Sequence, residues 1–201
     1  MSQAPAERSG QRRTLMLIGV LFLLPVAASF YVYYVRTDWR PAGTTNHGEL
    51  IEPPRALPSV TLRSSDGAAI EPPFEKAWSL IYVGDGDCDG RCREALYVMR
   101  QVRLALNRDS DRVQRIFLYR GECCDASYFS QQQGLMKLDL DTDVGGRLMR
   151  AFPSQDMHPA ESGRIWLADP HGNLIMSYTP GTDPKGMLED LKRLLKLSHI
   201  G

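Results

Sequence analysis

The sequence lacks several features that would suggest a function directly. It has no excess of charge, because 24 Lys and Arg side chains balance 24 Asp and Glu side chains over 201 residues. A neutral chain offers no basic field for a phosphate backbone, so we expect no nucleic-acid partner. The sequence also has no G-x-S-x-G motif, phosphate loop or zinc-helix signature. Hydrolase and kinase chemistry therefore has no support.

Cysteine is scarce as well. Four cysteines are too few for a disulfide scaffold at this length, so we expect each to have its own role in chemistry or packing. A composition that is 43% hydrophobic and 24% charged is far from that of disordered chains. The length allows one ordinary domain plus an appendage.

A long apolar run is present near the N-terminus. Residues 14–35 carry no charge, and as a helix they would extend roughly 33 Å, enough to cross a hydrocarbon core of about 30 Å. Three arginines precede the run, which favours a cytoplasmic segment at residues 1–13 and export of the remainder. The alternative is a cleaved signal peptide, for which residues 26–28 are suitably small. Both interpretations place the rest of the chain outside the cytoplasm.

The exported part is predicted to contain a tether and a domain. Residues 36–57 contain prolines and glycines with little apolar periodicity, which predicts an extended tether. Residues 58–201 alternate short apolar runs with helical patterns. The predicted strands cover 60–62, 78–83, 113–119, 136–140, 164–168 and 174–178, of which the one at 136–140 has the weaker pattern. Helices are predicted after the strands at 78–83, 136–140 and 174–178. Apart from an edge strand at 60–62, the order resembles the thioredoxin fold, an α/β domain of three layers.

Cys88 and Cys92 form a C-x3-C loop directly after the strand at 78–83 and at the start of the first long helix of the domain. Reactive groups collect at the carboxyl ends of parallel strands, and a helix N-terminus there stabilises a thiolate. The spacing suits either a disulfide or two ligands to one soft metal ion. Two unrelated, partly buried cysteines are the alternative.

Cys123 and Cys124 are adjacent and follow the strand at 113–119. That strand should neighbour the one before Cys88, so all four sulfurs are expected at one edge of the sheet. Three uses remain open for this pair: a vicinal disulfide, a resolving or accessory metal pair, or two structural cysteines.

This combination resembles the SCO (SenC/PrrC) family of thioredoxin-like copper chaperones. The resemblance rests on the C-x3-C loop between strand and helix, on the single N-terminal anchor, and on a strand that ends in Asp169-Pro170-x-Gly172. It covers about residues 56 to 197. It implies a factor in cytochrome c oxidase assembly that delivers copper to the oxidase copper site or reduces the thiols of that site. In the family, two cysteines and a downstream histidine bind copper, a donor set suited to Cu(I).

The resemblance implies that Cys88 and Cys92 are the redox dithiol and two of the copper ligands. Glu161 occupies the family's histidine position, and His158 lies three residues before it. His158 is thus the candidate third ligand, and the alternative is an exposed loop histidine or a cap. Without a histidine ligand, the chemistry would shift toward thiol–disulfide exchange.

We therefore expect a single-pass protein of a bacterial inner membrane with its C-terminal domain in the periplasm. Its partners would be cytochrome c oxidase subunits or other copper-site assembly factors, and the lipid bilayer through residues 14–35. The resemblance favours a metallochaperone or thiol–disulfide reductase over an enzyme that turns over a small substrate. A metal-free thiol–disulfide oxidoreductase and a non-catalytic assembly protein on the same fold are the alternatives.

Overall fold

The structure, a computed structural model, describes residues 6–35, 45–71, 73–153 and 157–198. Its contacts divide the chain into two compact units, Met1–Thr45 and Asn46–Gly201, which are described separately. Residues 1–5 of the predicted cytoplasmic segment and residues 36–44 of the predicted tether lie outside the described residues.

The N-terminal unit contains one long helix, α1 (Ala6–Tyr34). Its part from Gln11 to Tyr34 is long and apolar enough to cross a membrane. Pro25 lies inside the helix, and the Ser29 hydroxyl donates a 2.8 Å hydrogen bond to the Pro25 carbonyl oxygen. The apolar side chains along α1 are exposed, as contact with lipid would require. The helix includes residues 14–34 of the predicted membrane span at 14–35.

The C-terminal unit is built on a mixed sheet with helices on both faces. Its strands are β1 (Glu49–Ala56), β2 (Leu62–Arg63), β3 (Ala69–Ile70), β4 (Trp78–Asp85), β5 (Val113–Arg120), β6 (Leu135–Asp139), β7 (Ile165–Ala168) and β8 (Asn173–Tyr178). Its helices are α2 (Gly90–Ala105), α3 (Ala126–Phe129), α4 (Asp143–Met149) and α5 (Pro184–Leu197), with a 3-10 helix at Asn107–Arg112.

The strand order in the main sheet is β1-β8-β7-β4-β5-β6, and β2 and β3 form a separate antiparallel pair. Strands β4, β5 and β6 run parallel, whereas β7 pairs antiparallel with β4 and β8 antiparallel with β7. The succession from β4 to α5 confirms the predicted thioredoxin-like fold. It also confirms that the strand before Cys88 and the strand before Cys123 are direct neighbours.

Alternating side chains of the central strands build a core on each face of the sheet. On one face, Leu80 and Phe117 pack with α2 and α5, which contribute apolar residues at helical spacing such as Leu96 and Leu191. On the other face, Ile81, Ile116 and their neighbours pack with Leu148 of α4. Strands buried on both faces are typical of parallel sheets covered by helices, which is the predicted three-layer architecture.

The predicted tether and edge strand need correction. Strand β1 lies within the segment 36–57 assigned to the tether, and it pairs with β8 at the edge of the main sheet. Pro53 and Pro54 argue against a strand in the sequence. An edge strand nevertheless tolerates proline, because one side of its backbone needs no hydrogen-bond partner. The strand expected at 60–62 is β2, which pairs with β3 and not with the main sheet.

Asp190 on α5 attaches the beginning of the domain to its last helix. This carboxylate is 3% exposed, and it accepts hydrogen bonds from the backbone amides of His47 and Gly48, at 3.0 Å to one oxygen in each case, and from the Tyr178 hydroxyl at 3.3 Å. The folded domain therefore begins near residue 46, before the predicted boundary at 58.

Candidate functional site

Cys88 and Cys92 lie where the central strand β4 leads into α2. Cys88 is in the connecting loop, and Cys92 is in the first turn of the helix, where the side chain of the N-cap residue Asp89 accepts a 2.9 Å hydrogen bond from the Cys92 amide. The two cysteines are joined by a disulfide, with Cα atoms 5.1 Å apart. The loop and the cap thus hold both sulfurs at the N-terminus of α2, where unpaired amides and the helix dipole favour a thiolate.

This disulfide is almost completely shielded from solvent. Cys88 is 1% exposed and Cys92 is 2% exposed. Cys88 has a positive φ of 49°, an uncommon conformation for a residue with a side chain, and its carbonyl oxygen accepts a 3.1 Å hydrogen bond from Nε of Arg93. The Arg93 contact helps to hold the loop in this conformation.

Cys123 and Cys124 follow the end of β5, next to β4 in the sheet. Their sulfur atoms are in bonding contact, and both residues are half-buried. Asp125 directly after them caps the short helix α3 by accepting a 2.9 Å hydrogen bond from the Ser127 amide. Hydrogen bonds from the Ser127 hydroxyl and then from the Ser127 amide lower the pKa of the Asp125 carboxyl.

The two cysteine-bearing loops are in direct contact. The Gly86 amide donates a 2.8 Å hydrogen bond to the Arg120 carbonyl oxygen, and a Cβ atom at Gly86 would collide with the Glu122 carbonyl oxygen and lie 3.0 Å from the Cys123 Cα. At the strand ends, Arg120 pairs with Asp85 at 2.9 Å. Cys88 and Cys92 are part of the core cluster against which Cys123 and Cys124 pack. The expected convergence of both pairs at one edge of the sheet is therefore observed.

Arg93 links the two loops through its side chain. Besides its bond to Cys88, the guanidinium lies 3.8 Å from an Asp125 carboxylate oxygen and 5.0 Å from the centre of the Tyr128 ring. The Tyr128 hydroxyl donates a 3.1 Å hydrogen bond to the Arg93 carbonyl oxygen. No sequence motif marks Arg93 or Tyr128 as part of the site, and the one signal for Asp125 is the Asp-Ala-Ser capping pattern after Cys124.

A small acidic cavity adjoins Cys92. It has a volume of about 160 Å³, and its lining includes the carboxylate residues Asp85, Asp87, Asp89 and Glu161. The hydrogen bond from the Cys92 amide lowers the pKa of Asp89. Carboxylates beside the thiols oppose the thiolate that the helix N-terminus favours, so the two effects act on the same sulfurs in opposite directions.

Tyr82 forms part of the wall of this cavity and is 3% exposed. Burial and the nearby Asp89 carboxylate raise the pKa of Tyr82 to about 12. The hydroxyl stays protonated at neutral pH, and the charged groups around it are the carboxylates and the Arg91 guanidinium, which also lines the cavity.

His158 caps a turn and does not line this cavity. Its side chain is exposed, Nδ1 accepts a 3.3 Å hydrogen bond from the Ala160 amide, and its carbonyl oxygen accepts from the Glu161 and Ser162 amides at 2.9 and 3.1 Å. Within the described ranges, no group of three or more His, Cys, Asp or Glu residues is placed to hold a metal ion. The structure thus brings Cys88 and Cys92 together without His158, and Glu161 is the carboxylate of the His158 loop that lines the cavity.

The comparisons with solved structures confirm the resemblance at the level of the fold. Copper-bound yeast Sco1 matches with a TM-score of 0.60 at 16% identity, over 72% of this chain and 95% of that one. Copper-bound ScoI of Bradyrhizobium japonicum matches with a TM-score of 0.54 at 20% identity, over 70% and 99% of the two chains. The thioredoxin domain of a thiol-disulfide oxidoreductase from Bacteroides vulgatus matches with a TM-score of 0.52 at 12% identity, over 70% of this chain and 95% of that one.

No curated protein matches the sequence. One family model does match, and its description is a transmembrane-like, thioredoxin-like, C-terminal domain. The match covers residues 78–198, which include β4 to α5 and all four cysteines and amount to more than half of the chain. The chain therefore belongs to the family of transmembrane-like, thioredoxin-like C-terminal domains.

Proposed function

We propose that this protein is a membrane-anchored thiol–disulfide oxidoreductase whose working pair is Cys88 and Cys92. The observation that carries the proposal is the position of this disulfide, at the end of the central strand β4 and at the capped N-terminus of α2. The amides of the first turn favour a thiolate at this position, and thiolates perform disulfide exchange.

The overall reaction transfers two electrons and two protons. When the reduced Cys88–Cys92 pair acts on a target, the disulfide of the target breaks to give two thiols, and the S–S bond between Cys88 and Cys92 forms. The carboxylates around the cavity next to Cys92 disfavour the thiolates of the reduced pair. The helix N-terminus and Arg91, which also lines the cavity, act in the opposite direction.

The resemblance to the SCO family suggests the target and the location. We propose that the domain lies on the periplasmic side of a bacterial inner membrane, anchored by α1, and reduces the oxidised, disulfide-bonded cysteines of the cytochrome c oxidase copper site to thiols during assembly. The length and composition of Gln11–Tyr34 support the anchor. The fold shared with Sco proteins supports the choice of target.

The redox activity can be tested with the full chain in detergent. We expect Cys88–Cys92 to titrate as a two-electron couple in glutathione buffers, with alkylation and peptide mass spectrometry reporting each cysteine. The Cys88→Ser/Cys92→Ser variant controls for signals from the other cysteines. A pair that stays in one redox state across the whole range of dithiol potentials would refute the proposed function.

Copper delivery is the second candidate, with copper as cargo, because three of the structures with the same fold contain bound copper. The residues present fit it in part. Reduced Cys88 and Cys92 would supply two soft sulfurs, but the nearby additional donors are hard carboxylates such as Glu161, and His158 caps a turn.

A competition titration with Cu(I) tests this candidate. If the protein carries copper, the reduced chain should bind Cu(I) and Cys88→Ser/Cys92→Ser should lose at least about tenfold in affinity, as expected when thiolate ligands are removed. His158→Ala should leave the affinity unchanged because its ring is engaged in the turn. Equal weak binding by the wild type and the double variant would reject copper delivery.

A further inference from the structure

The two cysteine pairs differ in accessibility. Cys88 and Cys92 are 1% and 2% exposed, whereas Cys123 and Cys124 are half-buried and lie at the surface of the same core cluster. Disulfide exchange requires a thiolate to approach a sulfur along the S–S axis, so burial protects a disulfide from a protein-sized reactant. The proposed working pair is therefore the less accessible of the two.

The accessible pair is placed next to the buried one. Gly86 lies against the backbone of Glu122 and Cys123, and this contact leaves no room for a Cβ atom between the loops. In the first loop, the contact residue Gly86 lies two positions before Cys88. In the second loop, the contact includes Cys123, the first cysteine of the second pair. The strands that carry the loops are hydrogen-bonded in parallel register from Trp78 opposite Val113 to Asp85 opposite Arg120, which fixes the position of one loop relative to the other.

Arg93 adds a positive charge between the pairs. Its Nε contacts the Cys88 carbonyl oxygen, and its guanidinium lies near Asp125, which directly follows Cys124. Arg93 thus connects the backbone of the first cysteine loop to the side chain that follows the second pair. The charge is held by Asp125 and by the face of the Tyr128 ring, and so remains between the loops.

From these observations we propose that Cys123 and Cys124 form a second redox pair, through which the buried Cys88–Cys92 pair exchanges electrons with its protein partners. The inference rests on the proposed function and adds the path by which electrons pass between Cys88–Cys92 and a partner protein. In this arrangement Cys123–Cys124 meets the partner, and Cys88–Cys92 holds the electrons away from solvent.

Each step of the exchange conserves electrons and atoms. A dithiol of a partner protein reduces Cys123–Cys124 and becomes a disulfide. One thiolate of that pair attacks the Cys88–Cys92 disulfide, so that an S–S bond between the loops forms as the Cys88–Cys92 bond breaks. The remaining thiolate of the second pair then closes Cys123–Cys124 again and releases the last thiol of the first pair. A target disulfide is reduced by the same steps in reverse.

The intermediate between the loops can be trapped. Four double Cys→Ser variants retain one cysteine from each pair, and each full chain is incubated in oxidised glutathione buffer and digested. We expect a linked peptide between the loops in at least one variant, because the exchange requires one sulfur of each pair to meet. Absence of the link from all four variants would overturn the relay.

A kinetic comparison tests the route itself. Reduced thioredoxin serves as a protein-sized dithiol probe and dithiothreitol as a small one, and the appearance of alkylated Cys88 and Cys92 is followed over time. In Cys123→Ser/Cys124→Ser, we expect reduction by thioredoxin to slow at least about tenfold, while reduction by dithiothreitol changes less than about threefold. Equal rates with thioredoxin in the wild type and the variant would overturn the proposal.

The controls separate this inference from the proposed function. Ser130→Ala changes an exposed residue at the end of α3 without removing sulfur and should leave both rates unchanged, and circular dichroism checks the fold of each variant. If Cys88–Cys92 of the wild type exchanges with dithiothreitol and glutathione but ignores the state of Cys123–Cys124, the relay alone fails. If Cys88–Cys92 of the wild type exchanges with no reagent, the proposed function fails as well.

Discussion

At the scale of single residues, two buried tyrosines link the stability of the C-terminal unit to alkaline pH. Tyr82 lies beside the cavity at Cys92, and burial with the Asp89 charge raises its pKa to about 12. Tyr178 is 1% exposed, and burial, followed by the charge of Asp190 and its hydrogen bond, raises its pKa further above the usual range. The folded protein therefore holds both hydroxyls in the neutral form, whereas tyrosine hydroxyls of the unfolded chain ionise at about pH 10.

We predict that the free energy of unfolding falls as the pH rises above about 10. Each tyrosine with a raised folded pKa contributes stability that is complete below pH 10 and declines by up to about 1.4 kcal/mol for each further pH unit, until its folded pKa is reached. For Tyr82 this decline ends near pH 12. Urea unfolding of the full chain in detergent, monitored between pH 8 and 11.5, measures the slope.

Phenylalanine variants identify the groups responsible. Tyr82→Phe and Tyr178→Phe should each reduce the alkaline slope, since the titrating hydroxyl is removed. Tyr97→Phe is the matched control on the exposed face of α2 and should leave the slope unchanged. An unaltered slope in both buried variants would show that other groups cause the alkaline loss of stability.

At the scale of secondary-structure elements, the site depends on the packing of the loop after β4 against the loop after β5. Gly86 is the residue at their contact, where a Cβ atom would meet the Glu122 carbonyl oxygen. Gly90 begins α2 in the same segment, and a Cβ atom there would meet nothing within 4 Å. The chain thus contains a tight and an open glycine only four residues apart.

We predict that Gly86→Ala destabilises the protein by about 1–3 kcal/mol, because the clash is with backbone atoms and the loops must move apart. Gly90→Ala should be neutral or stabilise by up to about 1 kcal/mol, since alanine is the better helix former. Urea unfolding in detergent measures both changes. Similar stabilities for the two variants would mean that the loops adjust to the extra methyl group at little cost.

The sequence predicts the strands and helices that have a clear apolar period. It predicts fewer of the contacts around the cysteines. The strands that became β4 and β5 and the helix α2 were found with the cysteines at their ends, because apolar runs and capping residues are local signals. Strand β1 was missed because an edge strand with Pro53 and Pro54 shows no alternating pattern. The placement of His158 and Glu161 depends on how one loop folds over the sheet, which no local pattern in the sequence encodes.

At the scale of the whole molecule, the chain combines one apolar helix with a thioredoxin-like unit. Residues 14–35 contain no charged side chain, and the apolar residues of α1 are exposed. Burying these side chains in lipid would remove a large apolar surface from water. The cost of placing a charge at the centre of a membrane helix gives a direct test of that anchor.

We predict that Leu17→Arg/Leu21→Arg weakens membrane insertion, because an arginine costs about 2.5–3.5 kcal/mol at the centre of a membrane helix, near Leu21, and less toward its end, near Leu17. The wild type should stay in the membrane fraction after carbonate extraction, and the double variant should lose much of its retention. Leu17→Ala/Leu21→Ala is the control with smaller apolar side chains and should remain inserted. Release of the wild type by carbonate would contradict the anchor.

The two edges of the main sheet have a consequence for the protein at high concentration. Edge strands expose unpaired amides and carbonyls that can pair with another chain and start aggregation. Strand β1 at one edge contains Pro53 and Pro54, which have no amide hydrogen to donate, and β6 at the other edge is partly covered by a bridge between Ser64 and Leu138. Molecules crowded side by side on a membrane surface should therefore resist joining edge to edge into larger sheets.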